Sequence, residues 1–141
     1  MKNSFLVILT LLGMQQTNAQ FTRRDSLQGG LRIERTCFDV KRYDLNITIN
    51  PNQKSIKGLN EISFEIVSPT QKIQLDLCEN MKIDSIIWNT KKLNYNRDND
   101  AVFIDFPERL TSKSNYKLKF YYSGNPKIAQ NAPWDGGFVF S

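Results

Sequence analysis

The chain has 141 residues, of which 19 are Lys or Arg and 14 are Asp or Glu, and 40% of the residues are apolar. This length suits one domain and the apolar share is enough for a packed core, so two full domains and wholesale disorder are both excluded. With two cysteines and no histidine, the chain alone cannot build a Ser-His-Asp triad, a Cys-His dyad, a histidine-ligated zinc site or a four-cysteine zinc site.

The N-terminus has the features of a secretory signal peptide. Lys2 supplies a positive start, residues 5–12 are an apolar run, and Thr17-Asn18-Ala19 offers small residues at a cleavage site. The apolar run is too short to cross a bilayer, which takes ~20 residues. We therefore expect a signal peptide at 1–19 with cleavage after Ala19, and a secreted or periplasmic protein with no membrane span.

The segment that follows is short and polar. Residues 20–36 carry several charges and the pair Gly29-Gly30, and we expect an extended lead-in to a domain that occupies residues 37–141. The basic residues of the whole chain are dispersed, and no run of Lys or Arg exceeds two residues. We expect no nucleic-acid partner, because such a site needs basic residues clustered on one face.

From Phe38 onward the sequence has a period of two. Apolar residues at alternate positions from Tyr43 to Ile49 predict a strand with one buried face. A turn at 50–52 leads to a second alternating segment at 61–66, which predicts a hairpin, and Gly58 is a candidate bulge within it.

Later strands are expected from the same alternation. Their positions are 73–77, 83–88, 93–95, 102–106 with a stop at Pro107, and 116–122, with turns at 89–90 and 98–100. Because no window has helical spacing, these roughly seven short strands predict an all-β fold, either an antiparallel sandwich or a strongly bent sheet.

The two cysteines leave two alternatives open. In an exported protein Cys37 and Cys78 can form a disulfide, which would close a long loop and stabilise the fold. They can equally remain two separate buried thiols that behave as small apolar groups. The sequence does not decide between them.

Two further segments carry candidate binding chemistry. Asp98-Asn99-Asp100 offers oxygen ligands for calcium, but it lacks the other ligands of a calcium loop, which favours a solvated hairpin turn. Trp134 and Phe138 lie among glycines and are candidate ligand-stacking residues, as in a stand-alone sugar- or peptide-binding module with Tyr121 and Tyr122. Packing of Trp134 and Phe138 on the next layer is the favoured interpretation.

A set of short segments, in order from Asp25 to the end of the chain, carries a family resemblance. They are Asp25–Gly29, Glu34-Arg35, Asp39-Val40, Tyr43–Leu45, Ser55–Gly58 followed by the strand Asn60–Ile66, Ile73–Leu77, Met81–Ile86, Tyr121–Pro126 and Pro133–Val139. Together they resemble the N-terminal domain of exported zinc aminopeptidases of the aminopeptidase N family. Cys37 departs from that pattern, since relatives tend to carry an aromatic residue there.

The resemblance implies an antiparallel, saddle-like β-sandwich placed before a thermolysin-like catalytic domain. In the family that second domain holds zinc through His-Glu-x-x-His and a downstream glutamate. None of these motifs occurs in this chain, so we expect no cofactor, no metal ligand and no catalytic residue here, and no activity from the chain alone. The implied role is structural, as a roof over the catalytic cleft that limits access to peptide N-termini. The implied partner is the catalytic domain of the same or a neighbouring polypeptide.

The resemblance covers about the first half of the family's β-domain. We therefore expect a sandwich that is incomplete at its C-terminal end. There, apolar Phe138-Val139-Phe140 would form a strand with an open sheet edge, which favours self-association.

Overall fold

A computed structural model describes residues 21–140 of the protein, so the expected signal peptide lies outside the described residues. Two short helices precede eight strands in this part of the chain. The helices are α1 (Arg23–Gly29) and α2 (Ile33–Thr36), and the strands are β1 (Phe38–Asn50), β2 (Ser55–Ile66), β3 (Thr70–Asp76), β4 (Met81–Trp88), β5 (Lys91–Lys92), β6 (Asn94–Asp98), β7 (Ala101–Leu110) and β8 (Asn115–Gly124).

The strands form two sheets. The larger has the strand order β1-β2-β8-β4-β5 and the smaller has the order β3-β7-β6. Every pairing between these strands is antiparallel. The prediction of an all-β antiparallel sandwich is confirmed, and so is the first hairpin, in which Asn50 pairs with Ser55.

The core lies between the two sheets and follows the predicted alternation. Phe64 on β2 is 1% exposed and makes an edge-to-face contact with Phe38 at 5.7 Å between ring centroids. Trp88 of the larger sheet meets Phe106 of the smaller sheet at 5.4 Å and 87°. Rings of this size contribute most to burial, and truncating one to alanine typically costs about 3–5 kcal/mol.

Strand β1 departs from the expectation of one buried face. Tyr43, Leu45, Ile47 and Ile49 do share a face, but they are 55%, 60%, 42% and 54% exposed. The expected burial is wrong because β1 is the outermost strand of its sheet. Within residues 21–140, no second layer covers this part of the face. Alternation predicts which side chains share a face, and only packing decides whether that face is covered.

The expected bulge at Gly58 is also wrong. Gly58 pairs in regular register with Ile47 on one side and Tyr122 on the other. The register shift of the hairpin lies between Val40 and Arg42 instead. Gly58 is required for a different reason, because the ring of Tyr122 occupies the space that a β-carbon would take.

The expectation of an extended lead-in at 20–36 is wrong for the two parts of it that form helices, Arg23–Gly29 and Ile33–Thr36. Thr22 and Asp25 form a capping box at the start of α1, in which each side chain accepts a hydrogen bond from the other residue's backbone N–H. Leu27 then anchors the helix in the interior, at 2% exposed. Helices this short hold too few periodic positions to show helical spacing, and tertiary contacts stabilise them.

Two strand ends also differ from expectation. β7 continues through Pro107 to Leu110, because Pro107 falls in a register irregularity between the Lys72–Asp105 and Thr70–Leu110 pairs. A proline is tolerated there, since its missing N–H has no ladder partner to lose. At the other end, Phe138 makes a single parallel bridge to Ile128, and the expected C-terminal edge strand does not form.

Across the described residues 21–140, no helix has the length and apolar character required to cross a membrane.

Candidate functional site

An apolar groove of about 580 Å³ lies beside the exposed face of β1. Its floor is formed by side chains of β1, β2 and β8. One wall comes from the end of β3, the loop after it and the start of β4, and the other from the segment after β8. The lining residues are Tyr43, Ile47, Ile56, Asn60, Ile62, Leu75, Asp76, Leu77, Cys78, Met81, Phe120, Tyr122, Pro126, Lys127, Gly136, Gly137 and Phe138.

The groove continues the hydrophobic core. Ile62 and Phe120 line it and are only 3% and 5% exposed, since they also pack in the sandwich interior. Asn60 lies directly opposite Phe120 in the β2–β8 pairing and two residues before Ile62 on β2. The floor is therefore the part of the core face that the smaller sheet leaves uncovered.

Asn60 is the one floor residue with an amide side chain. Its Oδ1 atom is buried and accepts no hydrogen bond from the described residues. A buried acceptor without a partner costs roughly 1–3 kcal/mol, so an occupant that offers an N–H group here would gain binding energy. Sequence reasoning missed this residue, although a signal existed: an asparagine stands in the apolar phase of β2, between Gly58 and Ile62.

Tyr122 forms the inner end of the floor. Burial raises the pKa of its phenol above the ordinary value of 10, because the ionised form would lose hydration. The ring therefore stays neutral at physiological pH. The neighbouring candidate Tyr121 precedes it on β8, where successive side chains point to opposite faces, and it does not line the groove.

The wall that carries Cys78 is held by the carboxylate of Asp100. Asp100 is 4% exposed, and its Oδ2 accepts hydrogen bonds from Arg24 Nη2 at 2.5 Å and from Gln28 Nε2 at 2.6 Å. Its Oδ1 accepts from the backbone N–H of Glu79 at 2.7 Å. One side chain thus ties α1 and the β3–β4 loop to the β6–β7 turn. The Asp100 interaction also raises the pKa of Arg24 above its usual value.

Arg97 also holds the β3–β4 loop in place. The guanidinium of Arg97 donates to the carbonyl oxygens of Leu77, Cys78 and Met81, each at 2.6 Å. Together Arg97 and Asp100 hold the backbone of this wall through four hydrogen bonds.

The turn at 98–100 is thus a hairpin turn, as predicted, but it is not uniformly solvated. Asn99 has a φ of 53°, which closes the β6–β7 connection, while Asp100 is buried. Arg23 pairs with Asp98 and Arg24 with Asp100. Since both carboxylates already face guanidinium groups, the turn is a poor calcium site.

The structure holds the two cysteines as separate free thiols. Cys37 is fully buried at the end of α2, its thiol contacts the carbonyl oxygen of Lys72 at 3.8 Å, and burial raises its pKa above the ordinary value of 9.0. Cys78 is exposed on the wall of the groove. The alternative of two buried thiols therefore describes Cys37 but not Cys78.

The structure separates the two candidate stacking residues. Phe138 lines the groove, is 40% exposed and stacks on Phe140 at 5.9 Å and 20°. Trp134 is 90% exposed and lies outside the groove lining, so the expected packing of Trp134 is wrong. Asp135 fixes the loop between them by accepting from the backbone N–H groups of Gln130 and Asn131 at 2.7 and 2.8 Å, which lowers its pKa.

The side chains of residues 21–140 are not arranged as a zinc site. There is no histidine in the sequence, and residues 21–140 contain no group of three or more Cys, Asp and Glu side chains placed to hold a metal. The exposed Cys78 shares the groove lining with one carboxylate, Asp76, which is too few ligands for zinc. No chemical step can therefore be assigned to a metal bound by the described side chains.

The sequence matches one known family and several solved structures. The family described as Peptidase M1 N-terminal domain matches residues 40–132. No curated protein sequence matches the chain.

Among solved structures, the M1 zinc metallopeptidase from Deinococcus radiodurans is similar with a TM-score of 0.60 and 22% identity, over 70% of this chain and 23% of that one. A mutant of the same enzyme bound to a Tyr-Ser-Ala substrate is similar with a TM-score of 0.59 and 22% identity, over 67% of this chain and 22% of that one. At this identity the likeness shows the fold. The chain spans less than a quarter of the length of these structures.

Proposed function

Because this chain belongs to the Peptidase M1 N-terminal domain family, we propose that it serves as the non-catalytic β-domain of an exported zinc aminopeptidase. The observation that carries the proposal is the family match across residues 40–132, on a sandwich that resembles the corresponding part of M1 zinc metallopeptidases. The proposed role is structural: the domain roofs the catalytic cleft and limits access to peptide N-termini. The proposed partner is a zinc-binding catalytic domain, in the same or a neighbouring polypeptide.

The lining of the groove suits contact with another polypeptide rather than catalysis. Its lining is mainly apolar, and burial raises the pKa of Tyr122, so this phenol is not a base near neutral pH. The Oδ1 atom of Asn60 has no hydrogen-bond donor among the described residues. A polypeptide backbone can supply one, because every residue except proline carries an N–H group. We infer that the groove contacts other polypeptide of the parent enzyme.

Export is the second part of the proposal. It rests on the signal-like sequence at 1–19 and the small residues that end at Ala19. Mass spectrometry of the protein secreted by a bacterial host tests it, and an N-terminus at Gln20 is expected. Retention of Met1 in the exported protein would contradict it.

The first test of function is made on the purified chain. We expect no stoichiometric zinc by metal analysis and no hydrolysis of aminoacyl-anilide substrates, since the chain has no histidine. Aminoacyl-anilide hydrolysis that co-purifies with the chain would overturn the non-catalytic role, provided that it is present after chelation followed by replacement of the zinc.

The second test addresses the partner. The coding DNA beyond Ser141 is read for a frame that contains His-Glu-x-x-His, and its product is co-expressed with this chain. Phe138→Asp places a charge in the groove and should weaken co-purification, whereas Trp134→Asp, the matched aromatic outside the groove, should leave it unchanged. Equal loss with both variants would remove the groove from the interface, and lack of any such frame nearby would contradict the proposed partner.

The stand-alone binding module is not favoured, because its four aromatic residues do not share one surface. Phe138 and Tyr122 line the groove, whereas Trp134 and Tyr121 lie outside its lining. Retention on a glycan column that Trp134→Ala abolishes would reverse this preference.

A further inference from the structure

Helix α1 is held on the sandwich mainly by polar contacts. Leu27 is its one buried residue, at 2% exposed. The ion pairs of the helix reach the β6–β7 turn, where Arg23 pairs with Asp98 and Arg24 pairs with Asp100. A helix of seven residues is too short to be stable by itself, so α1 exists only while these contacts to the sandwich are made.

The helix also bonds to the two polar side chains that are buried among residues 21–140. These are Gln74 and Asp100, at 2% and 4% exposed. Gln74 Nε2 donates to the carbonyl oxygen of Leu27 at 2.9 Å, and Asp100 Oδ2 accepts from Gln28 Nε2 at 2.6 Å. If α1 left the sandwich, both buried side chains would lose these partners, and water would have to replace them.

Asp100 connects α1 to one wall of the groove. Its second oxygen, Oδ1, accepts from the backbone N–H of Glu79 at 2.7 Å, and Arg24 also pairs with the Glu79 carboxylate at 3.5 Å. Glu79 directly follows Cys78 in the β3–β4 loop, and Cys78 lines the groove. Arg97 holds carbonyl oxygens of the same loop without contacting α1. The amide side of the loop is therefore the side that depends on α1.

Release of α1 does not require release of α2, because α2 is anchored separately. Cys37, which follows α2 directly, is fully buried, and Arg35 of α2 pairs with Asp76 at 2.6 Å. The two helices are joined through Gly29-Gly30, and the first of these glycines has nothing within 4 Å of its β-carbon position. This glycine pair supplies a hinge about which α1 alone can move.

We propose that α1 is a strap with a docked and a released state, and that its docking fixes the β3–β4 loop and so regulates the groove. In the released state water reaches Asp100 and competes with the Glu79 N–H for Oδ1. The inference rests on the proposed function in one respect, that the groove is a contact surface. By thermodynamic linkage, a polypeptide that prefers the wall in its docked form also stabilises α1 on the sandwich.

Amide hydrogen exchange of the purified chain tests the strap. Leu27→Ala removes the apolar anchor of α1, and Leu31→Ala is the matched control, because Leu31 is 88% exposed. The reporters are the amide of Ser26, which bonds within α1, and the amide of Glu79 in the loop. We expect both to exchange about tenfold or more faster in Leu27→Ala, since loss of a buried leucine shifts docking by that order. Both rates should be unchanged in Leu31→Ala.

Low concentrations of denaturant separate strap release from global unfolding. Exchange of the Glu79 amide should depend weakly on denaturant, because release of α1 exposes little surface, whereas exchange of Ile62 in the sandwich should depend on it steeply. Gln28→Ala keeps the Leu27 anchor and removes one donor to Asp100. It should accelerate Glu79 by a smaller factor, and it decides the test if Leu27→Ala fails to fold.

A spin label on the exposed Cys78 reports whether the change reaches the groove wall. The label should become more mobile in Leu27→Ala and keep its spectrum in Leu31→Ala. Faster exchange at Ser26 without faster exchange at Glu79, a Glu79 amide that opens only with Ile62, or a Cys78 label that is indifferent to Leu27→Ala would each overturn the strap.

These measurements are made on the chain alone, so their outcome is separate from that of the proposed function. Absence of a partner in the co-expression test would remove the contact role of the groove and leave the exchange rates as they are. Failure of the strap would leave co-purification, and its dependence on Phe138, unaffected.

Discussion

Gly58 and Tyr122 lie directly opposite each other in the β2–β8 pairing, and the tyrosine ring crosses the glycine so closely that a β-carbon would lie 2.4 Å from Tyr122 Cζ. The glycine thus shapes the floor of the groove: it lets the ring lie flat on the strand. The ring in turn covers the backbone of β2 and brings its partly buried phenol to the inner end of the groove.

This contact predicts the effect of Gly58→Ala. The methyl group forces the Tyr122 ring out of its position, and overpacking of this kind typically costs about 1–3 kcal/mol. Chemical denaturation measures the loss. Gly29→Ala is the matched control, because nothing lies within 4 Å of its β-carbon and alanine favours the helix that ends there, so it should stabilise by up to about 1 kcal/mol. Equal free energies of unfolding for the two variants would contradict the close contact.

Substitution of Asp100 should destabilise the fold more than substitution of the less buried Asp98. Asp100→Ala leaves the Glu79 N–H, Gln28 and Arg24 without their acceptor, and we expect a loss of roughly 2–3 kcal/mol in the free energy of unfolding, moderated because Arg24 reaches solvent. Asp98→Ala removes an ion pair whose arginine is 75% exposed, and it should cost clearly less than Asp100→Ala. Hydrogen exchange should show faster opening of α1 in Asp100→Ala and little change in Asp98→Ala. Similar exchange in both variants would show that Asp100 does not hold the helix.

Acid should weaken the fold through carboxylates that the folded state keeps ionised. The hydrogen bond from Arg23 lowers the pKa of Asp98, and the hydrogen bonds from Thr22 lower that of Asp25, each from an ordinary value of 3.8. A pKa that is lower in the folded state means that the stabilisation is present above 3.8 and is lost as the pH falls through the folded-state values. The melting temperature should therefore fall below that pH.

The control for this acid effect is the double variant Asp25→Asn and Asp98→Asn, which removes both titrating groups. Its melting temperature should depend less steeply on pH below 3.8 than that of the original chain. Parallel curves for the two proteins would exclude these carboxylates as the cause.

The two thiols should differ in reactivity. Cys78 is exposed and should react at once with a thiol reagent, while Cys37 is fully buried, has a raised pKa and should react only after unfolding. Cys78→Ser should then leave no rapidly reacting thiol, and Cys37→Ser should leave the rapid phase intact. A protein with no reactive thiol even in denaturant would instead carry the Cys37–Cys78 disulfide that the sequence also allows.

The alternation of side chains was enough to place most strands, because a period of two is a local property of the chain. It located β1, β2 and their hairpin, and it identified Ile62, Phe64 and Ile66 as members of one face. The order of the short segments along the chain also indicated the family. Absence of histidine excluded only a histidine-ligated zinc site within the chain.

Burial was decided by tertiary structure, because it depends on whether a second layer lies over a face. The same alternation that buries Phe64 leaves Leu45 exposed at 60%, since β1 lies at the edge of the sheet. Asp100 sits in a sequence typical of a solvated turn, yet a helix that the sequence did not reveal covers it with Arg24 and Gln28. The groove, its unpartnered Asn60 and the open edge of β1 all arise in this way, because contacts between residues far apart in sequence decide which polar and apolar groups remain accessible.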